Sequence, residues 1–365
     1  MDPVLYGYML YVVSLLTVGG LYAILALGLN VQWGFTGLFN AGIAGFFGIG
    51  AYTAAILTTN PHASHVGGFQ MPYVVAAIAA MLVAGVIAFL VGKVCLRLRS
   101  DYRAIATIGI AEIFRLIVNN ETWATNGPRG ISQIPRPFEG LPEPINQFAF
   151  LGVVLVTLAG VYWLMEIARK SPWGRVMTAI RDNETSAKAA GKNVETFRME
   201  GFVIGCMIMA LAGALMAHYL KFVNPQTTDP LLATFIVFVM LVIGGSANNK
   251  GAILGAFLVW TLWSASEIVA PRLLEAIGMT DAGIRSAYVR IFLIGLLLQI
   301  FLQAPGARPW SVLSCVFMAG VLDMLSMGAI LPAIALIGGA GVSSNSVLND
   351  MLLNAVRSTG IEPSL

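Results

Sequence analysis

The chain has 365 residues, 58% of them hydrophobic and 11% charged, with a mean hydropathy of +0.81 and a net charge of +3. Soluble domains carry about 25% charged residues, so the composition excludes a soluble globular protein and predicts an all-α, polytopic membrane helical bundle of about nine or ten transmembrane segments. Its basic residues cluster between apolar runs, where membrane orientation rather than nucleic acid accounts for them. Cys95, Cys206 and Cys315 are isolated and imply neither a disulfide framework nor a metal site.

The N-terminus, M-D-P-V-L-Y-G-Y-M-L, lacks a basic region and runs into an apolar stretch too long for a signal peptide, so Val4 to Leu29 reads as a retained first span. Gln32, Trp33 and Gly34 then mark an interface or a break. Glycines 34, 37, 42, 45, 48 and 50 follow within seventeen residues. Glycine at this spacing serves both close helix packing and a broken helix lining a cavity. His62 and His65 stand in the polar loop from Thr58 to Gln70; with no third ligand, they read as solvated rather than metal-bound. The third span, Met71 to Leu96, ends in the basic cluster Lys93 to Arg103, which places that end in the cytoplasm.

A fourth span, Ala104 to Asn119, carries Glu112 and Arg115 three residues apart on one helical face, where they can pair. An isolated charge at a bilayer centre costs about 2.5 to 3.5 kcal/mol on insertion scales, so such residues face a bundle interior or a wet path. A structural pair and a transport role both fit. The loop 120–147 holds five prolines and has room for an external cap. After a fifth span, Phe148 to Ile167, comes the longest polar interval, the loop 169–199. It has seven Lys or Arg residues against three acids, a third of the chain's basic residues, and is therefore cytoplasmic as well. Pro172 suits a helix start, Arg175 to Ala190 lacks Gly and Pro, and Gly191 is placed as a C-cap, predicting one short amphipathic helix.

The sixth span, Glu200 to Lys221, has small residues at helix-contact spacing and carries His218, which reads as packed rather than ligating. The seventh, Leu231 to Gly244, leads to a second glycine-punctuated break at Gly244 and Gly245. The eighth continues to Val269 with Glu267 near its end, and the ninth covers Ala287 to Gln303 and exits at Arg308. Two glycine-broken segments in the two halves of a transporter point to a midplane pathway. Beyond it, residues 310–365 hold one further apolar segment with Asp323 and Pro332, similar to the first transmembrane helix of ABC exporters.

The interval W-G-R-V-M-T-A-I-R-D-N-E-T-S-A-K-A-A-G-K-N-V resembles the cytoplasmic loop of the permeases of branched-chain amino acid ABC importers. The glycine-rich second segment, L-R-L-R-S-D-Y-R-A-I-A-T-I-G-I-A-E-I-F-R-L-I-V-N-N and T-W-A-T-N-G-P-R-G-I resemble the same family, so that the likeness covers about Gly20 to Pro305. One departure is F-N-A-G-I-A-G-F, where many relatives are more polar; it bears on substrate more than on family. The resemblance implies a permease domain at 1–309 and an atypical extension at 310–365. It implies a coupling helix seated in an ATP-binding subunit through Arg175, Ala179, Arg181, Glu184, Ala187, Ala190 and Gly191, and a translocation path near Gly42, Gly45, Gly48, Glu112, Arg115, Gly244 and Gly245.

No G-x-x-x-x-G-K-[ST] loop occurs, so energy has to come from another polypeptide. The expected function is a multi-pass permease subunit of the bacterial inner membrane, without an enzymatic activity or a cofactor of its own. Its expected partners are ABC ATP-binding subunits, a second homologous permease, a periplasmic substrate-binding protein and membrane lipid. A urea or short-amide permease is the alternative substrate reading; an ion-coupled carrier with a relay of Glu112, Arg115 and Glu267 is the alternative class.

Overall fold

Apolar runs of this length have to satisfy their backbone groups internally, and here they do so as helices. The computed structural model describes residues 3–61 and 66–276, with Phe292 and Gly295 beyond them. His62 and His65, the rest of the ninth span, Arg308, and the extension 310–365 with Cys315, Asp323 and Pro332 lie outside the described residues.

Helix α1 (Pro3–Leu29) passes into a π-helical turn, Asn30–Phe35, so that one apolar segment of 31 residues runs from Leu5 to Phe35. A non-helical stretch, residues 36–42, separates it from α2 (Ile43–Thr58). Then follow α3 (Tyr73–Cys95), α4 (Ser100–Asn120), a single turn α5 (Thr122–Thr125) and the two-residue strand β1 (Ile131–Ser132). Helix α6 (Ile145–Lys170) leads to two short helices, α7 (Pro172–Asp182) and α8 (Glu184–Ala189). Helix α9 (Val194–Leu220), strand β2 (Phe222–Val223), a π-helical turn at Leu231–Phe235, α10 (Ile236–Gly244) and α11 (Asn249–Ala276) complete the order.

Among the described residues, four helices are long and apolar enough to cross a membrane: Leu5–Phe35, Tyr73–Cys95, Ile145–Lys170 and Val194–Leu220. Helix α4 is not among them, because it holds Asp101, Arg103, Glu112 and Arg115. It nevertheless joins the same two ends of the bundle as the fourth span predicted from Ala104 to Asn119, starting earlier at Ser100. Helices α1 and α9 are buried along most of their length, whereas α3 and α6 turn most of theirs outward. Small residues make the centre possible: α9 packs on α2, α3 and α1, and a Cβ added at Gly213 would lie 1.9 Å from the Phe47 carbonyl of α2. Backbone contact of this kind substitutes for the hydrophobic drive that lipid does not supply.

The two ends differ chemically. At one end lie the Lys93–Arg103 corner, α7, α8 and the turn before α11. At the other, β1 pairs antiparallel with β2, Ile131 opposite Val223, which joins the loop after α5 to the end of α9. Arg136 of that loop donates to the Tyr219 carbonyl, and its guanidinium stands 5.5 Å from the Phe150 ring and 5.4 Å from that of Tyr219. His218 is fully buried; Nδ1 pairs with the Ala214 carbonyl at 2.7 Å and the ring meets Tyr73 edge-on. It is the packed histidine that the sequence suggested.

Candidate functional site

The site is built from the elbow α7–α8, the non-helical stretch after α1 and the groove beside α4. Ser171 caps α7, its Oγ accepting from the Gly174 amide at 3.3 Å, and Pro172 occupies the first turn. Met177 and Ile180 then lie buried on one side, where Ile180 packs with Ala187 and Val194. The single helix predicted across Arg175 to Ala190 is corrected here, because Asn183 is extended (φ −155°) and divides it. The Asn183 Oδ1 accepts from the Ser186 amide at 3.0 Å and so starts α8 as an N-cap; asparagine favours this role over a helix interior. Gly191 ends α8 at φ +73°, donating to the Lys188 carbonyl at 2.9 Å, as its C-cap placement predicted.

Glu184 accepts from Lys188 at 2.7 Å and from Arg198 of α9 at 2.9 Å. These cations, Lys188 foremost, hold its carboxyl below the usual carboxylate range. The outward face of the elbow carries a shallow groove of about 440 Å³, lined by Arg175, Val176, Ala179, Ala187, Ala190 and Lys192 among others. Of the seven coupling candidates, Arg175, Ala179, Arg181, Ala190 and Gly191 are exposed, Glu184 is half-buried, and Ala187 is buried against Ile180 and Val194.

Arg181 turns inward. Its Nη1 donates to the Gly34 carbonyl at 2.7 Å, and its Nε and Nη2 reach Asp182 at 3.1 and 3.0 Å. Its Cγ lies 3.1 Å from where a Cβ would stand on Gly37 (φ +68°). The elbow therefore touches the broken segment directly, through one side chain.

Apart from the exposed Gly37 and the half-buried Phe39, that segment is buried, and several amides there and at the start of α2 find partners. Leu38 donates to the Gln32 carbonyl at 2.9 Å, Ala41 to Thr107 Oγ1 at 3.1 Å, Gly42 to Asn40 Oδ1 at 2.9 Å and Ala44 to Thr234 Oγ1 at 3.1 Å. Asn40 in turn donates to Gln32 Oε1 at 2.9 Å, and Gln32 Nε2 to the Phe202 carbonyl at 2.8 Å. A second seam runs from Ala247 through Asn30 and Asn249 to Glu166, with steps of 2.8, 2.8 and 3.2 Å. Sequence reading missed all of these amides and hydroxyls except Gln32, which it took as a boundary. Their signal was present as lone polar side chains inside apolar runs beside a glycine break, which the membrane tolerates only when they are paired.

Beside this segment, α4 and the stretch around α10 enclose a groove of about 520 Å³, walled by Phe39, Ile108, Phe235 and Phe238. Glu112 and Arg115 both line it. They pair as predicted, at 2.9 and 2.5 Å, with side chains 41% and 40% exposed. Gly42, Gly45 and Gly48 lie one layer behind: a Cβ there would meet Thr107, Ala111, or Thr228 and Phe114. Ala41 and Ala44, not these glycines, reach the groove surface. Gly244 packs against Gly251 and Gly245 is an exposed turn at φ +85°. Glu267 stands on α11, packed on α1 and α10, whereas Glu112 and Arg115 stand on α4, packed on α2; the helices of the proposed relay thus have different neighbours.

Residues 11–302 match the family described as branched-chain amino acid transport system / permease component. The chain belongs to that family. It is 34% identical over 271 residues to the high-affinity branched-chain amino acid transport system permease protein LivM of Escherichia coli, covering 68% of this chain and 61% of that one. The LivM of Salmonella typhimurium gives 34% over 272 residues with the same coverages. A probable branched-chain amino acid transport permease protein LivM of Methanocaldococcus jannaschii is 27% identical over 315 residues, covering 80% of this chain and 91% of its own length. The chain thus spans less than two thirds of the first two relatives. No solved structure matches it. The elbow, the broken segment and the groove all fall inside the stretch shared with this permease family.

Proposed function

We propose that the chain is the permease subunit of an ABC importer of branched-chain or other hydrophobic amino acids, driven by separate ATP-binding subunits seated on α7 and α8. The observation that carries the reading is the Arg181 hydrogen bond to the Gly34 carbonyl, because it gives a push on the elbow a direct route into the broken segment. The basic end is then cytoplasmic, in accord with the positive-inside rule, and the membrane is the bacterial inner membrane. The β1–β2 end receives a periplasmic binding protein. The groove beside α4 forms one wall of the path, and a second homologous permease closes its open side. Its aromatic and aliphatic walls fit an apolar side chain better than urea or a short amide, which favours the family substrate over the alternative.

In this mechanism, ATP-driven closure of the partner moves α7 and α8 as a unit, Arg181 carries the motion to residues 34–42, and the groove alternates between the two sides. Reconstituted uptake decides the matter. The permease with its partner permease, ATPase and binding protein is expected to accumulate leucine only with ATP, and replacing Glu184 and Gly191 together is expected to depress ATPase stimulation by loaded binding protein. Uptake by the isolated chain under an ion gradient would reject the importer in favour of a carrier.

A further inference from the structure

A second cavity opens at the basic end, between the Cys95–Arg103 corner, α8 and the start of α9, and has a volume of about 530 Å³. Lys93, Arg97, Arg99, Arg103, Lys188 and Arg198 line it, against the carboxylates of Glu184 and Glu195. Glu184 is already divided between Lys188 and Arg198. Arg103 is 7% exposed; one guanidinium nitrogen donates to the Leu98 carbonyl at 3.1 Å, but its Nε has no hydrogen-bond partner, and neither has the Nε of Arg198. A buried, partly unsatisfied guanidinium beside a surplus of positive charge calls for an anion.

What lies next to the cavity says which anion. A groove of about 510 Å³ between α3 and α9 shares Glu195 and Met199 with it and is otherwise lined by Phe89, Val203, Ile204, Thr196 and Glu200, whose carboxylate accepts from Trp173 Nε1 at 2.7 Å. This groove adjoins the outward face of α3, where Leu90 and Val94 are 58% and 68% exposed. Lys93 marks the junction, its Nζ 4.5 Å from the Phe89 ring centroid. A charged chamber opening onto an apolar channel at a helix end has the two-part chemistry of a phospholipid, and basic pockets between membrane helices take anionic headgroups.

We infer that this pair of cavities binds one anionic phospholipid, its phosphate held by Arg103 and Arg198 and an acyl chain laid along Phe89, Met199 and Val203. The headgroup then bridges the α3–α4 corner to α8, so the lipid tethers the elbow to the bundle.

The test uses the purified full-length chain in mixed micelles, with phosphatidylglycerol or phosphatidylcholine adducts counted by native mass spectrometry. Phosphatidylglycerol is expected to be retained and phosphatidylcholine lost. The double variant K93Q/R99Q, in two exposed side chains, is expected to weaken retention roughly 30-fold, equivalent to about 1 kcal/mol for each basic residue removed. V203W, which fills the channel without changing charge, is expected to lower it as well. Equal retention of the two lipids, or undiminished retention in both variants, overturns the assignment. So does displacement of phosphatidylglycerol by glycerol phosphate or inorganic phosphate, which would give the chamber to a free anion.

Discussion

The two glycine breaks look alike in the sequence and differ in kind. The first, after the π-helical turn at Asn30–Phe35, interrupts the helix inside the bundle for residues 36–42, and amides there and in the first turn of α2 are met by Asn40, Thr107, Thr234 and the Gln32 carbonyl. The second, Gly245 to Asn248, is a tight turn at the basic end whose neighbours pack glycine on glycine. The first break is met by polar side chains from several helices, whereas the second is a turn in which the Ala247 amide is met by the single side chain of Asn30, itself tied to Asn249. Glycine count alone does not distinguish them.

The largest test of this contrast is within the second break. Gly244→Leu puts a Cβ 2.1 Å from the Gly251 carbonyl oxygen, backbone against backbone, and is expected to cost about 3 kcal/mol. Gly245→Ala meets nothing within 4 Å and is strained only by its positive φ, at roughly 1 kcal/mol. Unfolding midpoints in detergent should separate the two. At the first break, Gln32→Leu leaves Asn40 and the Phe202 carbonyl without their partner and should cost about 2 kcal/mol in the same assay. A Gln32→Leu variant as stable as the parent would show that the polar set is dispensable.

Function should respond differently from stability. Arg181→Ala removes the contact with Gly34 from a side chain that is 32% exposed, so the unfolding midpoint should scarcely move. Reconstituted uptake is expected to fall roughly tenfold, the equivalent of about 1.4 kcal/mol. Arg181→Lys should restore part of it. The smallest effect concerns acidity. Because Lys188 and Arg198 depress the Glu184 carboxyl in the folded state, its contribution is present above the unfolded value of about 4.3 and is lost as pH falls through the folded value. Amide exchange in α8 should quicken in that acid range, and Glu184→Gln should remove the pH dependence. At 38% exposure, the contribution is screened and small.

Fold class, the polar elbow with its start at Pro172 and end at Gly191, and the Glu112–Arg115 pair were all legible, since each rests on local chemistry. The division at Asn183 was hidden because helix propensity along the interval is good on both sides, and only the cap geometry shows that the asparagine starts a new helix. The seams through Asn30 and Asn249, or Gln32 and Asn40, join residues far apart in the chain, for which one sequence offers composition but no register. The glycines near Gly45 were legible as packing sites; that Ala41 and Ala44 face the groove depends on which way α2 is turned.

The two-residue ladder between Ile131 and Val223, reinforced by Lys221 pairing with Glu139 and by Arg136 reaching Tyr219, gives the far face a property that neither loop has alone. Segments nearly a hundred positions apart are fastened together there, so the two loops present one continuous surface. The fastening lies at the C-terminal end of α9, which β2 follows directly.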